Sequence, residues 1–397
     1  MTLSLPIILV LGLLSGLTPF AVDAYLPSIP TISKDLNTEI NFVQLTLSVY
    51  LLVFSFMQIV FGPISDAIGR RKVIVGGLIV FALGSFACAL SSSYELLLAS
   101  RAIQAFGGAA VAVCVPALVK DGLSINQFAK TMSMIMLVMA LAPLAAPIVG
   151  GAILTLLSWH YIFVLLGGVA LLAIGLFLRT IPETLPAKNR IPFSFFNALR
   201  NYATLLKNRA VMGYIVASAF YFAGMMSFVT GASFVYIEIY GVNPAHFGFL
   251  VGLNVIAMMF ASTINSRYVE KLGTEVLSKY AIYVPLIAAI LMIVLCFLNH
   301  PPLWLIITSS VLFMGPMGIL GSGFMAGALR YSGNHNGSVT ALAGSSRFAF
   351  GALGGVVVSV LHDGTFVPML GTIATCGIVA FVCLKATVHF TTSKTDP

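Results

Sequence analysis

Long apolar stretches alternate along the whole chain with short polar or Gly/Pro breaks. Taking the breaks as boundaries predicts twelve helices, over 4–29, 42–65, 73–91, 94–119, 130–156, 160–180, 210–237, 245–267, 279–298, 302–329, 337–361 and 365–388. About 20 apolar residues cross a bilayer as a helix, and every run is close to that length or longer. The longest polar interruption, Pro182 to Arg209, separates six runs from six. The expected organisation is an N-terminal six-helix bundle over 1–181, a cytoplasmic linker over 182–209 and a C-terminal six-helix bundle over 210–397. With both termini cytoplasmic, all but three of the 20 Lys and Arg fall on inside loops, in line with the positive-inside rule. Lys34 falls outside, and Arg101 and Arg347 lie within runs.

The halves echo each other. Ser266 to Gly273, between the eighth and ninth runs, repeats the layout of Gly62 to Gly69 between the second and third. Glu270 stands in the place of Asp66, and Gly273 in that of Gly69. Two related bundles with a substrate route near the midplane are a transporter architecture.

Composition agrees. The chain of 397 residues is 59% hydrophobic and 8% charged, against about 25% charged in soluble domains. It is expected to be an all-α integral membrane protein with the lipid bilayer as a partner. The net charge of +8 sits in short loops, so a nucleic-acid face is not expected. Cys88, Cys114, Cys296, Cys376 and Cys383 all lie in apolar runs without metal-ligand spacing, as small packing residues do. No metal or cofactor is expected. The first run continues into Thr18–Tyr25 instead of a cleavage site, so it is expected to be a spanning helix and not a removed signal.

Few residues inside the runs carry chemistry. Asp23 is the acidic residue embedded in an apolar run, and an intramembrane charge is by default functional. It suits loading and unloading a proton, or holding a cationic substrate; Pro27 and Pro30 place the helix end soon after it. Arg101 opens the pattern Arg101-x-x-Gln104-x-x-Gly107-Gly108-Ala109 and must face inward, towards a negative partner or the neighbourhood of Asp23. Gln104, one turn further, shares its face. Arg347, about ten residues into the eleventh run, should line a cavity or find a partner. With Asp23, Arg101, Gln104 and Arg347, the candidate substrate contacts are Tyr50, Tyr221 and Asn254, these three each also readable as a hydrogen-bonded packing residue. His160, His246, His300 and His362 fall near loop ends, with no nucleophile–base pair, so an enzyme is not expected. No loop exceeds about 30 residues, which disfavours a sensor with a large soluble domain.

Gly62-Pro63-Ile64-Ser65-Asp66-Ala67-Ile68-Gly69-Arg70-Arg71-Lys72 resembles the signature loop between the second and third helices of major facilitator transporters. Ala21-Val22-Asp23-Ala24-Tyr25-Leu26-Pro27-Ser28-Ile29-Pro30 resembles the first-helix signature of the bicyclomycin-resistance (Bcr/CflA) multidrug efflux family. Gln58 before the loop, Arg101-x-x-Gln104 and Trp159-x-x-Ile162-Phe163 also fit that family. The likeness covers the N-terminal half strongly and the C-terminal half by topology. It implies the major facilitator fold, with twelve transmembrane helices in two pseudo-repeats. It implies a conformational switch of Gly62, Asp66, Gly69, Arg70 and Asp121, with Arg70 paired to Asp121 and Asp66 capping the start of helix eleven near Asn336-Gly337-Ser338. It associates Arg101 and Gln104 with proton coupling. Pro143, Pro147, Gly150 and Gly151 resemble the antiporter motif of exporters, with alanines where the family often has glycine before the first proline. Arg347 departs from the family, where a neutral polar residue is expected.

The resulting expectation is a proton-coupled antiporter that exports drugs or small amphipathic compounds by alternating access. Its partners would be protons and a small-molecule substrate. It would act as a monomer in a bacterial inner membrane. The alternatives are a dedicated exporter of a metabolite such as a nucleoside or amino-acid derivative, and a proton-coupled importer.

Overall fold

The computed structural model describes residues 5–122, 125–185, 190, 203–332 and 336–392. Positions 186–189 and 191–202 of the expected linker, and Lys394, lie outside the described residues. Among those described, twelve helices are long and apolar enough to cross a membrane: Pro6–Asp35, Ile40–Ile68, Arg70–Ala89, Tyr94–Asp121, Met134–Leu156, His160–Thr180, Arg209–Ile239, Pro244–Leu272, Thr274–Cys296, Leu303–Arg330, Gly337–Val360 and Val367–Val388. The fold is all-α, because lipid offers the backbone no hydrogen-bond partner and helices satisfy it internally.

Three spans depart instructively from the sequence expectation. The first runs on to Asp35, past both prolines. Pro27 and Pro30 each occupy the first positions of a new helical segment, Leu26–Ser28 and Ile29–Asp35, where a missing N–H is no loss. The ninth starts at Thr274 and not at 279, directly after Gly273. The tenth is broken at Gly315-Pro316 into Leu303–Met314 and Met317–Arg330, where the proline removes a backbone donor right after a glycine.

The internal repeat is visible in the backbone. Gly69 (φ 105°) ends the second span and starts the third; Gly273 (φ 80°) does the same between the eighth and ninth. These dihedrals favour glycine, so each marks a one-residue hinge between consecutive helices.

Chain packing forms two compact units, Met1–Phe195 with Asn243–Gly248, and Phe196–Val242 with Phe249–Pro397. In the first, the fourth span is central and packs against the second and third. A Cβ on Gly107 would lie 2.3 Å from the Phe81 amide nitrogen, so the third and fourth spans meet backbone to backbone, the close approach that small residues permit. The first and fifth spans run side by side in the same direction. Gly12 meets Val138, Gly16 meets Ala142 and Ala24 meets Gly150, each pairing keeping the same sequence separation. In the second unit the seventh span is the core, 83% buried, with the eleventh and twelfth packed along it.

Gly107→Leu is expected to abolish a monodisperse folded peak on size-exclusion chromatography, since overpacking costs about 1–3 kcal/mol or more. Gly168→Leu, with nothing within 4 Å of its Cβ position, should leave the peak intact. Equal behaviour of the two variants would refute the backbone contact.

Candidate functional site

Arg101 is fully buried in the first unit. Its Nη1 donates to the Gln104 Oε1 at 2.6 Å and to the Ala21 carbonyl at 3.1 Å. Gln104 Nε2 donates in turn to Ser85 Oγ at 2.8 Å, and Ser85 Oγ to the Phe81 carbonyl at 2.7 Å. The guanidinium carbon lies 4.4 Å from the Tyr25 ring centroid, 4.5 Å from that of Tyr50 and 5.8 Å from that of Phe163. The expected negative partner is replaced by aromatic faces, which attract a desolvated cation by about 2 kcal/mol. Nε and Nη2 carry no hydrogen bond.

The cage extends outward through the Trp159 motif. Trp159 packs edge-on to Phe163, and Phe163 lies 6.0 Å from Tyr25 between ring centroids. Trp159 Nε1 donates to Asp35 Oδ2 at 2.8 Å. The sixth span thereby ties the far end of the first span to the arginine.

Asp23 is half-buried, at the end of the helix Leu5–Asp23. Its neighbours in sequence make contacts that anchor this segment. The Ala21 carbonyl takes Arg101, Tyr25 lies beneath the guanidinium, and the Ala24 carbonyl lies 1.7 Å from where a Gly150 Cβ would stand. Any side chain at Gly150 would displace this turn. Among the described residues no ion pair joins Asp23 to Arg101. Pro143 and Pro147 lie inside the fifth span, Gly151 is buried beside Gly150, and this helix is the one laid along the first.

A second cluster sits at the Gly69 hinge. Arg70 Nη2 meets Asp66 Oδ1 at 2.5 Å, its Nε meets Asp121 Oδ2 at 3.0 Å, and its Nη1 donates to Ser65 Oγ at 2.5 Å. Ser65 Oγ donates to the Gly62 carbonyl at 2.8 Å. Sequence reasoning missed Glu183. Its carboxylate accepts the backbone N–H groups of Arg70 and Arg71, both at 3.2 Å, and so caps the third span at its positive end. Arg71 Nη2 donates to the Leu178 carbonyl at 2.8 Å. The signal in the sequence was an isolated acid immediately after an apolar run, among basic residues.

The second-unit candidates behave differently from one another. Tyr221 is fully buried, stacked on Phe313, with its hydroxyl donating to the Phe313 carbonyl, close to the break at Gly315-Pro316. Arg347 is half-buried, with its guanidinium carbon 5.3 Å from the Phe222 ring centroid, and it makes no ion pair among the described residues. Asn254 is buried with neither amide atom hydrogen-bonded. Gln44, which the sequence reading passed over, is in the same condition.

Two bundles of apolar helices holding a caged cation and a half-buried acid define a membrane transporter. Comparisons with known proteins give the same class. The sequence profile of the Major Facilitator Superfamily matches residues 11–355. The chain is 39% identical over 387 residues to the "Bicyclomycin resistance protein homolog" of Haemophilus influenzae, covering 98% of this chain and 96% of that one. It is 29% identical to the "Chloramphenicol resistance protein" of Pseudomonas aeruginosa, covering 91% and 86%. Among solved structures, a peptide transporter POT crystallised with sulfate superposes with a TM-score of 0.78 at 15% identity, covering 97% of this chain and 94% of that one. The chain belongs to the Major Facilitator Superfamily, and within it to the bicyclomycin-resistance family; it is a multi-pass membrane protein.

The Tyr50 ring lies 4.5 Å from the guanidinium carbon, so its face is the part the cage uses. Tyr50→Phe should shift stability by less than about 1 kcal/mol, while Tyr50→Leu should lose about 1–2 kcal/mol with the cation–π face. Thermal unfolding in detergent compares them; a Phe variant as damaged as the Leu variant would contradict the cage.

Proposed function

We propose that this protein is a proton-coupled antiporter that exports drugs or small amphipathic compounds by alternating access. The observation that carries the reading is Asp23: a half-buried carboxylate on a turn anchored on one side by the Arg101 cage and on the other by Gly150 of the antiporter-like motif. A proton arriving at or leaving Asp23 changes the charge of that turn. Gly150 and Arg101 are the contacts through which the change reaches the fifth and fourth spans. Coupling requires that proton and substrate each prefer one conformation, since equal affinity shifts nothing. The names of the two relatives favour drug export.

In this reading residues 1–181 and 210–397 are the two functional bundles and 182–209 the linker, with both termini on the cytoplasmic side of a bacterial inner membrane. The protein acts as a monomer. Gly62, Asp66, Gly69, Arg70 and Asp121 form the conformational switch, which Glu183 holds in register. Asn254, Tyr50, Tyr221, Gln104 and Arg347 are the proposed substrate contacts. Of these Asn254 is favoured, because neither atom of its amide has a hydrogen-bond partner among the described residues. A second reading, export of an anionic or strongly polar metabolite, is favoured by one observation. Arg347 offers a cation with an aromatic partner and, among the described residues, no paired acid.

Everted vesicles energised to an inside-acid pH gradient test the function directly. Chloramphenicol, and separately bicyclomycin, should dissipate the gradient in vesicles carrying the wild-type protein. Asp23→Asn, expressed to the same level, should show at least about a hundredfold loss, the scale of removing an essential proton-transfer group. Undiminished dissipation by the Asn variant would overturn the role of Asp23. Dissipation by neither drug, with a response to an anionic metabolite panel, would favour the second reading.

A further inference from the structure

A cavity of about 280 Å³ lies within the second unit, at the ends of the seventh, ninth, tenth and twelfth spans. Lys279, Arg330 and Lys385 line it, with one acid, Glu275. Glu275 is already paired with Arg330. Lys279 and Lys385 have no ion-pair partner among the described residues. Among the described residues the cavity therefore holds two ammonium groups without a paired acid.

Its wall also supplies an unspent polar group. Ser278 is 6% exposed and its hydroxyl has no hydrogen-bond partner. That hydroxyl lies 1.7 Å from where a Gly323 Cβ would stand, so a glycine is needed opposite it.

The surroundings are those of a membrane–water interface. Lys385 Nζ lies 4.3 Å from the Tyr283 ring centroid and 5.6 Å from that of Phe381. Tyr283 is 43% exposed and Tyr280 66% exposed. Tyr214 and Tyr331 stack within the cavity wall. Tyrosines with an apolar body and a polar tip collect at headgroup depth, and lysines beside them reach up to it. Exposed Val276, together with Leu384 and Val388, adds apolar lining.

We infer that this cavity binds the phosphodiester headgroup of an anionic phospholipid. The two lysines neutralise the phosphate, the Ser278 hydroxyl donates to one of its oxygens, and the apolar lining receives the first methylenes of an acyl chain. Basic pockets between helix ends select anionic lipids in this way. The site is independent of the transport reading except for the leaflet it faces, the cytoplasmic one.

Native mass spectrometry of the full chain, with palmitoyl-oleoyl phosphatidylglycerol or the corresponding phosphatidylcholine added, tests it without any transport measurement. The wild type should retain phosphatidylglycerol adducts in clear excess over phosphatidylcholine. Each lysine near a membrane surface changes affinity about fivefold, so Lys279→Gln with Lys385→Gln should reduce phosphatidylglycerol retention by about 25-fold. The paired Lys→Arg variant should keep it, and Ser278→Ala should weaken it with both lysines present. Three results would overturn the site: equal retention of the two lipids by the wild type, undiminished phosphatidylglycerol retention by the Gln variant, or displacement of the lipid by millimolar inorganic phosphate as complete as by excess lipid. If the Gln variant is not monodisperse, the Ser278→Ala comparison decides alone, and unchanged retention there also counts against the site.

Discussion

A helix in lipid has no water to fall back on, so each interruption of its backbone ladder must be repaired by the protein itself. The breaks in this chain show how. After Asp23 the first span turns through Ala24 and Tyr25, and Ser28 Oγ donates to the Tyr25 carbonyl at 2.5 Å. Near the break at Gly315-Pro316 the Tyr221 hydroxyl serves the Phe313 carbonyl. Where the seventh span ends in the wider turn Phe234–Ile239, the Tyr240 hydroxyl donates to the Pro301 carbonyl at 2.5 Å. The Arg101 cage follows the same rule. Its hydrogen bond to the Ala21 carbonyl ties the end of the segment Leu5–Asp23 to the fourth span, just ahead of the turn that follows Asp23.

The repeat shows a second regularity, in which geometry is kept and charge exchanged. In the first unit the third span begins after Gly69 with a cation, Arg70, held by an acid, Asp121, at the end of the fourth. In the second unit the ninth span begins after Gly273 with an acid, Glu275, held by a cation, Arg330, at the end of the tenth. Both pairs staple consecutive helices at the same end of their bundle. They differ in what surrounds them. Arg70 is 8% exposed, bonded to three side chains, and its backbone is capped by Glu183. Arg330 and Glu275 are more than half exposed, the setting in which an ion pair contributes at most about 1 kcal/mol. The first staple is thus the firmer, and the second leaves room beside it for the lysine-lined cavity.

The spans were readable from sequence because lipid imposes length and apolarity on each helix separately. All twelve runs appear; the first was ended too early because prolines at helix starts, Pro27 and Pro30, were taken for a helix end, and the ninth was begun too late, after the polar turn that follows Gly273. Asp23 and Arg101 stood out for the same reason, as charges in runs that exclude them. What surrounds them was not readable, because it comes from other helices. An acid was expected beside Arg101, and rings from the first, second and sixth spans occupy that place. Tyr221 and Asn254 looked alike as polar residues in apolar runs, yet one hydroxyl is committed to a carbonyl and the other side chain's amide is unused. Glu183 carried no periodic signal at all; its role depends on the Gly69 turn coming back beside the end of the sixth span.

The choice of arginine at position 101 follows from what the cage demands. A lysine presents one compact charge with a strongly held water shell, whereas a guanidinium is planar, weakly hydrated and able to stack while it donates. Here it lies against two tyrosine rings and still reaches Gln104 and the Ala21 carbonyl. No acid pairs with it among the described residues. The fourth span therefore places a buried guanidinium against the backbone just ahead of the Asp23 carboxylate. In the proton-coupled reading proposed above, a fixed charge next to a variable one would give the first span two electrostatic states, with the Ala24–Gly150 contact as the place where the fifth span meets it.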